Sequence, residues 1–145
     1  MKLTELPLKG VRVLDVCQVM AGPYACMLLG DLGADVIKIE PPGGGDQTRG
    51  SMGFKMKGPD SMGFLNMNRN KRSVALNLKS EAGRDVLLQL VQDADILVEN
   101  YRPGAMRRLG LGRSRCSGGG QRTARRAWAS PSRRSTGHRG RSPPL

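Results

Sequence analysis

The sequence predicts an α/β fold: a Rossmann-like parallel half-sheet followed by a disordered, Arg-rich C-terminal tail. Short β-rich runs alternate with helical segments through residues 1–112, and acidic residues stop altogether after Glu99. Residues 113–145 contain nine Arg, six Ser, five Gly and three Pro, but no Asp, Glu or Lys. The net charge of +12 therefore divides into +9 for the tail and +3 for the rest (15 Lys and Arg against 12 Asp and Glu). We expect residues 1–112 to be the part that folds, because the tail has few apolar side chains to bury.

Residues 11–40 predict the first strand–helix–strand unit. Val11–Val16 is a short apolar run typical of a central strand, and Asp35–Glu40 is a second. Between them, residues 24–32 have apolar side chains at helical spacing, and Pro23 suits the first helical turn. Two strands joined by a helix over about thirty residues form a βαβ unit, so these strands are expected to be parallel.

Residues 41–70 show no periodicity and begin with a Pro-Pro-Gly-Gly-Gly run that breaks regular structure. We interpret them as a long loop. It is either a binding or lid segment with an adaptable methionine surface or simply a mobile insert. The methionines concerned are Met52, Met56, Met62 and Met67.

Residues 73–109 repeat the alternation of strands and helices. Ser80 is a plausible N-cap for the longer of the two helices expected here. The predicted elements are a strand at 73–78, a helix from 81 to about 92, a strand at 94–98 and a short helix at 105–109.

Composition argues against several classes of protein. No window approaches the roughly 18 continuous apolar residues of a membrane span, and residues 1–7 lack the apolar stretch of a secretory signal. The three cysteines form no Cys-x-x-Cys motif or Cys/His cluster, so we predict reduced thiols, no metal and a cytoplasmic location.

Ligands of open α/β sheets bind at the carboxyl ends of the strands. The loop after the first strand, residues 17–23, has small residues that let a ligand approach the backbone. Cations occur at residues 69–72, at Lys79 and again at residues 102–108. Because guanidinium and ammonium groups pair with phosphate oxygens, these loops suit a ligand with several phosphates. The alternative is that they are ordinary surface loops, which are normally cationic.

A series of motifs in these segments resembles the amino-terminal part of family III CoA-transferases. That family includes formyl-CoA transferases, carnitine CoA-transferases and α-methylacyl-CoA racemases. The resemblance covers residues 8–112. The motifs are Gly10–Asp15, Ala21–Pro23, Leu29–Pro41, Asn70–Ser73, Leu76-Asn77 with Lys79, Ala94–Asn100 and Arg102–Gly104.

The resemblance implies a Rossmann-like large domain that binds coenzyme A, and two protomers interlocked as rings. The substrates would be an acyl-CoA and a carboxylic acid. Pro41 stands where some members have an Arg against the adenine. The positions that match CoA contacts of the family are Met20, Ala21, Leu76, Asn77, Leu78, Lys79, Asn100, Tyr101, Arg102 and Arg108.

The resemblance assigns no catalytic residue to this chain. Family transferases use a downstream Asp as the nucleophile that forms an aspartyl-CoA thioester. The racemases use an Asp and His pair as acid and base. No carboxylate follows Glu99 here, and we expect Asp15 and Asp35 to serve structure. The chain thus resembles a truncated transferase, or a racemase-type fragment, that keeps part of the CoA site.

The tail has two interpretations. Arg-, Ser-, Gly- and Pro-rich sequence without Lys is typical of a GC-rich gene read out of frame, so a frameshift near codon 113 is the first. The second is a nucleic-acid-binding arm, in which case the chain would be a non-catalytic nucleotide- or RNA-binding module. The tail has no RGG or RS repeat and only Trp128 for base stacking, so it predicts only non-specific binding of polyanions.

Overall fold

A computed structural model of the chain describes residues 6–55, 58–112, Cys116 and 127–129. Five strands form one parallel sheet in the order β3-β2-β1-β4-β5. They are β1 (Arg12–Val16), β2 (Asp35–Glu40), β3 (Lys71–Ala75), β4 (Ile96–Glu99) and β5 (Ala127–Ala129). The predicted α/β class and parallel pairing are confirmed for the described residues.

The helices follow the strands in chain order. They are α1 (Ala21–Asp31), α2 (Thr48–Ser51), α3 (Met62–Met67), α4 (Glu81–Gln92) and α5 (Ala105–Arg108). Ser80 is the N-cap of α4 as predicted, and its hydroxyl accepts a hydrogen bond from the Gly83 amide at 3.2 Å. Pro23 lies in the first turn of α1, also as predicted.

The sheet separates two hydrophobic clusters because side chains alternate between its faces. Leu14 and Val16 of β1 pack against Leu87 and Val91 of α4 on one face. On the other face, Val13 and Val36 belong to the cluster that includes the buried thiols of Cys17 and Cys26, beneath α1. The loop that joins β1 to α1 therefore crosses the carboxyl edge of the sheet between two packed layers.

The predictions for residues 41–70 and for β3 are wrong in part. The expected loop contains two short helices, α2 and α3, and Phe64 of α3 is buried. Strand β3 covers Lys71–Ala75 rather than 73–78, because Lys71 and Arg72 find acidic partners and can therefore occupy strand positions. Met56 lies outside the described residues.

Two places in the tail differ from the predicted disorder. Cys116 is buried and belongs to the cluster around Leu14, and residues 127–129 pair in parallel with β4. The other positions of residues 113–145 lie outside the described residues. Strand β4 begins at Ile96 rather than at residue 94, and α5 ends at Arg108 rather than at residue 109.

Candidate functional site

A cavity of about 220 Å³ lies at the carboxyl edge of the sheet, where the predicted ligand site was expected. Its walls come from the loop after β1, the end of β2, the segment after β3 and the loop after β4. The lining residues are Gln18, Ile39, Glu40, Pro41, Leu76, Asn77, Leu78, Lys79, Tyr101 and Leu109.

Five of the ten residues assigned from the family resemblance line this cavity: Leu76, Asn77, Leu78, Lys79 and Tyr101. Pro41 lines it as well. The other five do not line it. Met20 and Ala21 are exposed at the start of α1, and Arg102 and Arg108 are exposed after β4. The side chain of Asn100 hydrogen-bonds the backbone of Gln18, which lines the cavity.

Local hydrogen bonds shape the wall formed by residues 76–80. The Leu76 amide donates to the Glu40 carbonyl at 2.8 Å, which continues the pairing with β2 beyond the end of β3. The Asn77 side chain then accepts from the Lys79 amide at 3.1 Å, a turn that Asn favours. Gly83 is required beside this turn, because a Cβ there would lie 2.2 Å from the Asn77 carbonyl oxygen.

Gln18 of the loop of residues 17–20 also lines the cavity, and side chains from outside the loop hold it. Asn100 accepts from the Gln18 amide at 2.9 Å and donates to the Gln18 carbonyl at 2.8 Å. The Lys38 ammonium donates to the Cys17 carbonyl at 3.0 Å. Val19 has a φ of +70°, in the left-handed region that β-branched residues avoid.

Four charged side chains lie beneath this loop, between the sheet and α1, and we call them the buried ionic network. Lys71 contacts Asp15 at 2.8 Å, Asp15 lies 4.0 Å from Lys38, and Lys38 contacts Asp46 at 2.9 Å. Each of the four side chains is at most 2% exposed. Two cations and two carboxylates make the network neutral, which limits the cost of removing charge from water.

The Lys71 ammonium also fixes the start of α1. It donates to the Pro23 carbonyl at 2.8 Å and to the Asn68 side chain at 2.9 Å. Gly22 is needed here for packing rather than for ligand access, since a Cβ would lie 2.3 Å from the Cys17 sulfur. Gly22 therefore lets α1 approach β1 closely.

Glu40 lies between the cavity and an adjoining open groove of about 530 Å³ that includes Gly43–Gly45. Arg49 donates to both carboxylate oxygens of Glu40, at 2.7 and 2.8 Å, and Ser73 donates at 2.6 Å. Burial alone would raise the pKa of Glu40, but the bonds from Arg49, Ser73 and the Asp46 amide lower it to about 2. The carboxylate is thus ionised, and both of its oxygens accept hydrogen bonds from the protein.

Arg49 organises the segment that sequence analysis left without structure. Besides Glu40, its guanidinium contacts Asp60 at 2.9 Å and lies 3.8 Å from the centre of the Phe64 ring. The hydrogen bonds with Glu40 raise the pKa of Arg49 further above its ordinary value. Sequence analysis missed this cluster and the buried ionic network. The one available signal was Lys38, a charged residue between the apolar residues Ile37 and Ile39 of β2.

Tyr101 borders the cavity with its backbone fixed by Glu99, whose carboxylate accepts from the Tyr101 amide at 2.8 Å. Burial raises the pKa of the Tyr101 hydroxyl, with smaller contributions from nearby thiol and carboxylate groups. The phenol therefore stays neutral near pH 7 and offers one donor and one acceptor at the cavity.

Asp15, Cys17 and Cys26 bring one carboxylate and two thiols within 4.8 Å of one another. A metal ion fits this cluster poorly, because the Lys71 ammonium already occupies one Asp15 oxygen at 2.8 Å. A hydrogen bond with Cys26 and burial raise the pKa of the Cys17 thiol well above its ordinary value, so it stays protonated. We assign no metal to this cluster.

The cationic residues 69–72 do not line the cavity. Arg69 and Arg72 lie at the opposite, amino-terminal edge of the sheet, where Arg69 pairs with Asp31 at 2.6 Å and Arg72 with Asp35 at 2.7 Å. Lys71, the first residue of β3, belongs to the buried ionic network. By contrast, Lys79, Arg102 and Arg108 have no acidic partner among the described residues. The prediction that all three cationic segments face one ligand is therefore wrong for the first.

Over the part of the chain that the structure describes, no helix is long and apolar enough to cross a membrane.

Comparison with known proteins gives a consistent result. Residues 8–119 match the model of CoA-transferase family III, which extends the likeness past residue 112 to include Cys116. Succinyl-CoA:glutarate CoA-transferase of Mus musculus is 51% identical over 106 residues, covering 73% of this chain and 24% of that protein. Formyl-CoA:oxalate CoA-transferase of Streptomyces coelicolor is 47% identical over 109 residues, covering 75% of this chain and 26% of that protein. The chain thus spans about a quarter of the length of these relatives.

A solved structure shares the fold. The orthorhombic crystal form of Rv3272 from Mycobacterium tuberculosis superposes with a TM-score of 0.75 at 40% identity, covering 86% of this chain and 34% of that one.

Proposed function

Because the chain belongs to CoA-transferase family III, we propose that it forms part of a coenzyme A site and supplies no catalytic carboxylate. The observation that carries the proposal is the convergence of Leu76–Lys79 and Tyr101 on one cavity at the carboxyl edge of the sheet. The curated relatives described above are named for different acyl donors and acceptors, and CoA is what they share. Transferase is accordingly favoured over racemase.

The chemistry of the cavity supports binding of the nucleotide end of CoA. Ile39, Leu76, Leu78 and Leu109 give apolar walls suited to a planar base, and Gln18 and Asn77 bring amide groups that can hydrogen-bond. At about 220 Å³ the cavity is smaller than the roughly 300–1,000 Å³ of pockets that enclose a whole drug-sized ligand. It therefore suits one part of CoA rather than the whole molecule.

The cations beside the cavity support binding of phosphates. Lys79 lines the cavity, and Arg102 and Arg108 are direct neighbours in sequence of two other lining residues, Tyr101 and Leu109. All three lack an acidic partner among the described residues, so their charges are available to a ligand. Within the described part of the chain, no side chain caps the start of α1, near Met20 and Ala21. The positive end of the helix dipole there attracts anions such as phosphates.

The described carboxylates at this edge are poor candidates for a nucleophile. Glu40 is the acidic residue that lines the cavity, and each of its oxygens already accepts two hydrogen bonds. Asp15 and Asp46 are buried in ion pairs with lysines. A carboxylate that attacks an acyl-CoA carbonyl needs a free lone pair facing the thioester. Glu99, at the end of β4, is buried, and its carboxylate accepts from the Tyr101 amide at 2.8 Å. We therefore assign the nucleophile to none of these residues.

Titration calorimetry of the full chain with CoA tests the proposal. Lys79→Ala should weaken binding by roughly tenfold, the loss typical of one charge-assisted hydrogen bond. Lys9→Ala makes the same change of charge on another exposed lysine and should bind like wild type. Equal weakening by both variants, or equal affinity for inorganic pyrophosphate and CoA, would mean non-specific attraction of phosphate. A result of that kind would favour the alternative of a polyanion- or RNA-binding module.

A thioester exchange assay tests the second half of the proposal. The chain alone should not transfer CoA between an acyl-CoA and a carboxylate above the uncatalysed rate. Turnover comparable with that of a complete family member would contradict it. The frameshift proposed for residues 113–145 is tested separately, by sequencing the gene and searching the other frames for the continuation.

A further inference from the structure

Val19 adopts a backbone conformation that its own side chain opposes. Its φ of +70° lies in the left-handed region, which is unfavourable for a β-branched residue. One other described residue that is not glycine shares a positive φ, Asn70 at +60°, and Asn tolerates this region well. A conformation like that of Val19 persists only where the surrounding structure imposes it.

Three consecutive residues of this loop are held by side chains that come from outside it. Lys38 of β2 donates to the Cys17 carbonyl at 3.0 Å. Asn100, after β4, bonds both the amide and the carbonyl of Gln18. Asp46, before α2, accepts from the Val19 amide at 3.4 Å and is itself paired with Lys38. The loop is therefore fixed residue by residue, although nothing in its own sequence favours this shape.

We propose that Asn100 is a positioning residue for coenzyme A: it holds Gln18 against the cavity and does not itself contact the ligand. Both polar atoms of its side chain are used on the Gln18 backbone, and Gln18, not Asn100, lines the cavity. The Lys38–Asp46 pair holds the same loop from the buried side. This inference rests on the proposed CoA site, and it changes the role that the family resemblance gave to Asn100.

The variant Val19→Gly tests whether a rigid loop is needed for CoA binding without lowering the stability of the fold. Glycine removes the strain, so the free energy of unfolding should stay near that of wild type or rise. The freed loop must then be ordered when CoA binds, and affinity should fall by roughly five- to tenfold. Asn70→Gly is the matched control, a glycine at the other positive-φ residue and at the opposite edge of the sheet, and it should leave CoA affinity within about twofold of wild type.

A double-mutant cycle with Asn100→Ala distinguishes positioning from contact. If Asn100 acts only through the loop, Asn100→Ala should lower CoA affinity in the wild-type background but add little to Val19→Gly, since the loop is already free. If Asn100 touched CoA, the two losses would add, and the proposal would be overturned. Calorimetry gives the affinities, and urea unfolding shows whether each variant is folded.

Hydrogen exchange without ligand gives an independent outcome. The amides of Gln18 and Val19 should exchange faster in Asn100→Ala than in wild type. Equal protection in the two proteins would show that Asn100 does not hold this loop. Absence of CoA binding by the wild-type chain would overturn the proposed function, and with it the role of Asn100 in positioning the loop for CoA. Wild-type binding that Val19→Gly leaves unchanged would overturn the positioning role alone.

Discussion

The two edges of the parallel sheet carry ion pairs that differ in burial. At the amino-terminal edge, Arg72 and Asp35 pair with side chains 66% and 38% exposed. Beneath the loop at the carboxyl edge, the side chains of Lys38 and Asp46 are each 1% exposed. Exposed pairs stabilise a fold by about 0–1 kcal/mol, whereas breaking a buried pair costs about 3–5 kcal/mol. The pairs at the first edge are therefore dispensable, and those at the second support the candidate site.

The largest effect is expected from Lys38→Met. The change leaves Asp46 and Asp15 buried with one cation fewer and removes the donor to the Cys17 carbonyl. Unfolding in urea should show a loss of about 3–5 kcal/mol. A loss below about 1 kcal/mol would mean that water reaches the network, and the contrast between the edges would disappear.

The second largest effect on stability is expected from protonation of Glu40 in acid. Its pKa in the folded chain is about 2, below the ordinary value of 4.5, so its contribution is present above pH 4.5 and is lost as pH falls toward 2. The shift corresponds to roughly 3 kcal/mol at most. The free energy of unfolding, measured from pH 6 to pH 2.5, should therefore decrease with acid. The slope in this range should be smaller in Glu40→Gln, and an unchanged slope would assign it to other carboxylates.

A smaller effect is expected where α1 packs over the buried ionic network. Gly22→Ala places a methyl group 2.3 Å from the Cys17 sulfur and 2.5 Å from its Cβ, and overpacking of this kind costs about 1–3 kcal/mol. Gly44→Ala is the control, because a Cβ there meets nothing within 4 Å. Thermal unfolding compares the two variants. Equal midpoints would show that α1 moves without cost and does not seal the network.

Local patterns in the sequence predicted much of the fold. Asp35–Glu40 and the Ser80 cap were predictable because a β-rich run and an N-cap are encoded by adjacent residues. The helices α2 and α3 were missed because they have only four and six residues and lack a readable apolar stripe.

The candidate site was predictable only in part. The resemblance located residues 76–79 and Tyr101, which line the cavity, but not the side chains that support it. Lys38 finds Asp46 eight residues later and Asp15 twenty-three residues earlier, and neither spacing belongs to any local motif. The same reason applies to Asn100, whose partner Gln18 is eighty-two residues away. Contacts of this kind depend on the order of the strands in the sheet, which the local patterns of residues 1–112 did not predict.

The smallest effect, from Arg72→Met, tests the exposed side of the comparison. Asp35 keeps its contact with Arg12 at 3.3 Å, so the free energy of unfolding should fall by no more than about 1 kcal/mol. The difference from wild type should shrink further at 1 M salt, where the Debye length is about 3 Å. Hydrogen bonds from Arg72 hold the pKa of Asp35 below its ordinary value, so a carboxyl titration followed by NMR should show that pKa rising in the variant. A loss of stability as large as that of Lys38→Met, or one insensitive to salt, would show that burial does not decide which pairs support the fold.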